Sequence, residues 1–138
     1  MGRTVAKLKV TNAYDAQKAA EGLMPQGAVR SVEVEAMVNT GATYVCIPRP
    51  DIEKLGLPFL RNVEIRTANG KATRRIFEGA STELNGRSFP MGVMENDEDT
   101  PPLIGYLLLE ALDLVVDPKS QQVIANPAHD GKWVADLY

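Results

Sequence analysis

The chain has 138 residues, a formal net charge of -3, and 44% hydrophobic against 24% charged residues. That balance is globular rather than disordered, and its acidity argues against the basic face a nucleic-acid partner would need. No apolar run approaches the roughly 18 residues that would cross a membrane.

The length suits a single domain over residues 1–138, able to bury roughly two-thirds of its unfolded surface. The start, Met1-Gly2-Arg3-Thr4-Val5-Ala6-Lys7, has neither a signal-peptide core nor the serine or threonine of a myristoylation signal. The sole cysteine, Cys46, cannot form an internal disulfide, so a cytoplasmic location and a buried packing role are expected.

Residues 4–11 alternate, with Ala6, Leu8 and Val10 on one face and Lys7 and Lys9 on the other, which predicts a strand. Residues 12–27 are ambiguous between a short helix closed by Gly22 and a structured loop. Residues 31–38 alternate again, Val32, Val34, Ala36 and Val38 against Glu33 and Glu35, and deliver the chain to Asn39. Residues 42–47 are apolar and partly β-branched, which predicts a buried strand.

Pro50 and Gly56 bracket one or two helical turns. Residues 63–67 and 71–76 flank Ala68-Asn69-Gly70, and Asn-Gly between two strand-like runs signals a hairpin. A further strand pair, 79–84 and 88–94, turns at Asn85-Gly86. Residues 95–99 and Pro101-Pro102 form a solvated loop; the glycine and closing glutamate of a calcium loop are missing. Residues 106–112 favour helix, and 114–116 and 123–125 favour strands. The result is an all-β fold with one to three short helices.

The chemistry centres on Val38-Asn39-Thr40-Gly41-Ala42-Thr43 between two apolar runs, with Leu103-Ile104-Gly105 and a helix far downstream. This ordered set, together with Ile47-Pro48, Leu55-Gly56-Leu57 and residues 109–118, resembles retropepsin-like aspartic proteases, most closely their prokaryotic branch. The resemblance covers roughly residues 4–127. It implies a closed β-barrel of the acid-protease type and an endopeptidase needing no cofactor or metal. Asn39, Thr40 and Gly41 stand in the catalytic loop. Ala42 and the hairpin tip Ala68, Asn69 and Gly70, which resembles a substrate-covering flap, would bind peptide. Thr40 would hydrogen-bond across to a partner loop, because one motif in one domain requires a homodimer. Residues 4–10 and 123–125 are the expected interface strands. Asp99-Thr100-Pro101 has proline where glycine is required and is rejected as a second motif.

One position departs from the family, which has aspartate where this chain has Asn39. Two carboxyls about 3 Å apart share one proton and can act as base and acid together. Asparagine has no such proton to trade. Its loss should cost at least about 10²–10⁴ in rate, so the chain as written is expected to be inactive. The intact surrounding loop favours an inactivating substitution in a working protease. The alternative is a natural pseudoprotease that binds peptides or regulates; a structural β-barrel adaptor without a groove is a third reading. His129, the sole histidine, and Cys46 are too far apart in sequence to suggest a metal site. Trp133 and Tyr138 are expected to pack locally or extend the interface.

Overall fold

A computed structural model describes residues 3–137. The readings made on Met1, Gly2 and Tyr138 lie outside the described residues. Among the described residues nine strands and three short α-helices follow one another: β1 (Val5–Asn12), α1 (Ala13–Ala20), β2 (Ser31–Val38), β3 (Cys46–Pro48), α2 (Arg49–Leu55), β4 (Phe59–Thr67), β5 (Gly70–Leu84), β6 (Arg87–Asn96), β7 (Leu103–Ile104), α3 (Tyr106–Leu112), β8 (Leu114–Asp117) and β9 (Gln122–Ala125). The main sheet runs β1-β2-β7-β3-β6-β5-β4, and β1 pairs again with β5. Six strands therefore close into a barrel, with β4 outside it on β5. This is the retropepsin-like acid-protease fold.

The alternation read in the sequence sets which side chains fill the barrel. Leu8 and Val10 of β1 are fully buried, as are Ile47, Ile104, and Leu108 and Leu112 of α3. Burying a Leu or Ile side chain stabilises by roughly 1.5–3 kcal/mol, so these positions anchor the fold. The ambiguous stretch after β1 resolves as a helix. The Asn12 side chain caps α1 by accepting from the Asp15 N–H at 3.0 Å and also donates to the Leu55 carbonyl at 2.9 Å. Asp15 in turn receives the Arg30 backbone N–H and two guanidinium N–H groups, which clamps the excursion between β1 and β2 onto the barrel.

Two expectations need correction. Of residues 42–47 only Cys46 and Ile47 are strand. The carbonyls of Ala42 and Thr43 accept from the first N–H groups of α3, so they are not available to a sheet ladder. The two hairpins read separately share one 15-residue strand, β5, whose register shifts between Phe77 and Ala80. Strand β1, an expected interface strand, is also a barrel strand: it pairs with β2 along Val5–Thr11 and with β5 along Lys9–Asn12. Residues 123–125, the other expected interface strand, lie in a separate two-stranded sheet in which β9 pairs with β8.

Turn chemistry follows the sequence closely. At Asn85-Gly86 both residues take positive φ, 53° and 79°, the arrangement whose twist matches the flanking strands. Behind β9 the chain is strapped to the barrel. Asp113 accepts from the Asn126 side chain and the Val134 N–H, and His129 Nδ1 lies 2.6 Å from its second oxygen. Trp133 packs locally, donating its indole N–H to Ala111 O beneath the Arg87 guanidinium.

Candidate active site

Strand β2 runs parallel to β7, with Met37 opposite Leu103 and Val38 opposite Ile104. The Asn39 N–H donates to Ile104 O at 3.0 Å, so β7 holds the loop from behind as the chain leaves β2. Asn39 Oδ1 then accepts the Gly41 N–H at 3.0 Å, and the Ala42 N–H closes back on Asn39 O at 3.0 Å. This is a tight turn in which a side-chain oxygen replaces a backbone acceptor. A Cβ at Gly41 would lie 3.3 Å from the same carboxamide oxygen, a tight contact to which the Asn39 side chain would have to yield by a few tenths of an ångström.

The far side of the loop is held by α3. Helix N-termini leave N–H groups without intrahelical partners. Here Tyr106 N–H donates to Ala42 O at 2.8 Å and Leu107 N–H to Thr43 O at 3.3 Å. The helix can come this close because position 105 has no side chain. A Cβ on Gly105 would sit 2.5 Å from the Thr43 carbonyl carbon, 2.6 Å from Tyr44 O and 2.7 Å from Ala42 O. The distant Ile104-Gly105 pair is thus the back wall of the Asn39 loop.

Asn39, Thr40 and Gly41 are exposed on the single chain. A cleft of about 850 Å³ opens at this apex and is roofed by the β4–β5 hairpin. Asn39, Gly41, Ala42, Ala68 and Asn69 all line it, whereas Thr40 and Gly70 adjoin it without doing so. The hairpin tip is closed by Thr67, whose hydroxyl donates to Gly70 O and accepts from the Asn69 N–H. In this cleft Val63 and Ile65 of β4, Met94 of β6 and Leu103 of β7 supply apolar wall.

Several lining residues were not legible in the sequence. Tyr44 and Cys46 stood there only as parts of an apolar run. Arg74 and Asp97, which both line the cleft, pair at 3.1 Å, although Asp97 belongs to a loop whose acidity suggested nothing beyond solvation. Glu95 accepts from both Arg49 and Arg75, which pulls its carboxyl below the ordinary range, the Arg75 hydrogen bond first among the causes. Burial pushes the Cys46 thiol up to about 11, so it is a poor nucleophile at neutral pH.

A second cleft of about 950 Å³ lies between β6, α3 and the tail and shares only Tyr44 with the first. It is the larger, but it holds none of the motif residues, whereas the smaller one is lined by Asn39, Gly41 and Ala42. Among the described residues, no helix is long and apolar enough to cross a membrane, and no cluster of His, Cys, Asp and Glu could hold a metal ion.

A family model described as gag-polyprotein putative aspartyl protease matches residues 26–111, more than half of the chain. The chain belongs to this aspartyl protease family. The matched span begins just before β2 and ends within α3, so it contains the Asn39 loop, the β4–β5 hairpin and the Gly105 wall. No curated protein matches the chain. For an aspartyl protease the arrangement is chemically intelligible: an exposed polar apex, a groove beside it and a hairpin roof able to exclude water.

Proposed function

We propose that two copies of this chain, of a prokaryotic and cytoplasmic type, assemble about a two-fold axis that passes beside Asn39. The paired loops would hold a water over an extended peptide seated in the cleft. The observation that carries this reading is the Asn39 loop itself: fixed by Gly41, Ile104 and α3, it presents position 39 at an exposed apex beside a roofed groove. An exposed apex suits a dyad completed by a second protomer. With aspartate at position 39 the pair would share a proton, and one carboxyl would draw a proton from water while the other donates to the substrate carbonyl. The hairpin roof would add main-chain hydrogen bonds to the peptide.

Asparagine preserves the shape of that loop and removes the titratable proton. The chain as it stands therefore binds peptide without cutting it. The same observation supports a second reading, a pseudoprotease whose natural role is binding. Peptide cleavage between about pH 3 and pH 7, followed by mass spectrometry for this chain and for Asn39→Asp, separates the two. Cleavage by Asn39→Asp alone, blocked by a pepsin-type transition-state mimic, is the expected result. If both proteins are folded dimers and neither cleaves, the binding reading takes its place. A folded protein that remains strictly monomeric at micromolar concentration would refute the shared dyad.

A further inference from the structure

We propose that Arg74 is the specificity-determining residue of the cleft and that it selects peptides carrying a glutamate or aspartate side chain beside the cutting position. The inference rests on the reading of the cleft as a peptide groove. In the β4–β5 hairpin Arg74 lies directly opposite Val63, and Ala72 opposite Ile65. Directly opposed residues of an antiparallel pair share a face. Arg74 therefore projects on the same side as Val63 and Ile65, the side that lines the groove with Asn39. Glu64 pairs with Thr73 on the other face, where its partner is Lys71. Glu95, the other carboxylate nearby, is already committed to Arg49 and Arg75.

Arg66 and Glu64 also border the cleft, from the strand face that carries Lys71; on the face of Val63 and Ile65 the cation is Arg74, and its paired anion is Asp97. They are not equivalent. The Arg74 side chain is 25% exposed and Asp97 is 59% exposed. A guanidinium has five N–H donors. Among the described residues one Arg74 nitrogen donates to Thr73 O and another to Asp97 Oδ2, so donors remain for a ligand. Asp97 can turn outward and be rehydrated at little cost, because an exposed ion pair contributes little. The more buried Arg74 gains more from a carboxylate that fits its planar fork with two parallel bonds. Arg74 would then hold a substrate carboxylate in the groove, with Asp97 as its placeholder when no peptide is bound. The placeholder is itself preset: Asn96 Oδ1 accepts the Asp97 N–H, the Asn96 side-chain amide donates to Pro101 O, and the Thr100 N–H donates to Asp97 O.

The test uses synthetic peptides that differ only in having Glu, Gln or Lys at each position in turn. Binding to the chain as it stands is read by fluorescence anisotropy, and cleavage by Asn39→Asp is read by mass spectrometry. At one position the Glu peptide should bind roughly tenfold more tightly than its Gln counterpart, the scale of a charged hydrogen bond in a half-buried site. Arg74→Gln should bring that ratio close to one. The exchanged pair Arg74→Glu with Asp97→Arg retains an ion pair in the groove and should turn the preference toward Lys. A Glu-to-Gln ratio that is the same in Arg74→Gln as in the parent overturns the assignment. So does peptide binding with no acidic preference, while leaving the groove reading in place. If no peptide is bound by the chain and none is cut by Asn39→Asp, the groove reading fails and the assignment falls with it.

Discussion

Replacing Gly105 by alanine tests whether the Asn39 loop is built from behind by α3. Gly105 has φ -86° and ψ 178°, a conformation open to any residue, so alanine introduces no backbone strain there. The cost comes from space alone. The new methyl would meet three backbone atoms, at 2.5, 2.6 and 2.7 Å, and no rotamer change can relieve a clash with backbone. Overpacking typically costs about 1–3 kcal/mol, and three simultaneous contacts place this substitution at the upper end. For a chain of this size about 3 kcal/mol lowers Tm by about 10 °C. Relief would come by moving α3 off the loop, which stretches the Tyr106 and Leu107 bonds to Ala42 and Thr43. The reference substitution is Gly27→Ala, where a Cβ meets nothing within 4 Å, expected within about 0.5 kcal/mol of the parent. Calorimetry on both variants decides. If Gly105→Ala melts together with Gly27→Ala, the loop is not wedged against the helix and the account of the Ile104-Gly105 motif is wrong.

Other expectations concern charge and the C-terminal strap. The Arg30 hydrogen bonds, the side-chain one first, lower the Asp15 carboxyl from 3.8 to about 2. A depressed carboxyl stabilises the fold above its ordinary value and loses that contribution as pH falls toward about 2. Urea midpoints should therefore separate the parent from Asp15→Asn at neutral pH and converge near pH 2; a gap independent of pH would contradict the pairing. Arg87 donates to the carbonyls of Leu112, Asp113 and Gly131 and covers the Trp133 ring. Arg87→Ala should cost about 1.5–3 kcal/mol and red-shift the fluorescence of the sole tryptophan, whereas unchanged emission would show that the strap does not depend on it. Because burial raises the Cys46 thiol from 9.0 to about 11, its thiolate fraction at pH 8 falls roughly a hundredfold. Ellman's reagent should react correspondingly slowly with the folded chain and at the ordinary rate in denaturant. Equal rates in both would place the thiol in open solvent.

Local pattern was enough for much of this protein. The alternation in residues 4–11 and 31–38 fixes which side chains enter the barrel, because a strand has a period of two and a slip of one residue would turn Leu8, Val10, Val32 and Ala36 outward. Asn85-Gly86, where both residues take positive φ, and Gly70, at φ 111°, mark their turns because few other residues adopt positive φ without strain. Asn39-Thr40-Gly41 and Ile104-Gly105 were visible as motifs, although the reason for the second is purely spatial. Only the fold shows that a Cβ at position 105 would run into the backbone of residues 42–44.

Other features depended on tertiary structure because their physical cause is long range. Residues 42–45 have strand-like composition, yet the carbonyls of Ala42 and Thr43 are taken by a helix more than sixty positions away, and no local propensity reports such a partner. The alternation in β1 announced a strand, but not that β5 would close the barrel against it. Arg74 and Asp97 are 23 residues apart, in segments that read separately as a hairpin arm and a solvated acidic loop. Sequence determined the chemistry available at position 39 and the faces of the strands. The folded barrel determined which distant groups share the groove, since an ion pair exists only once both ends have been brought within reach.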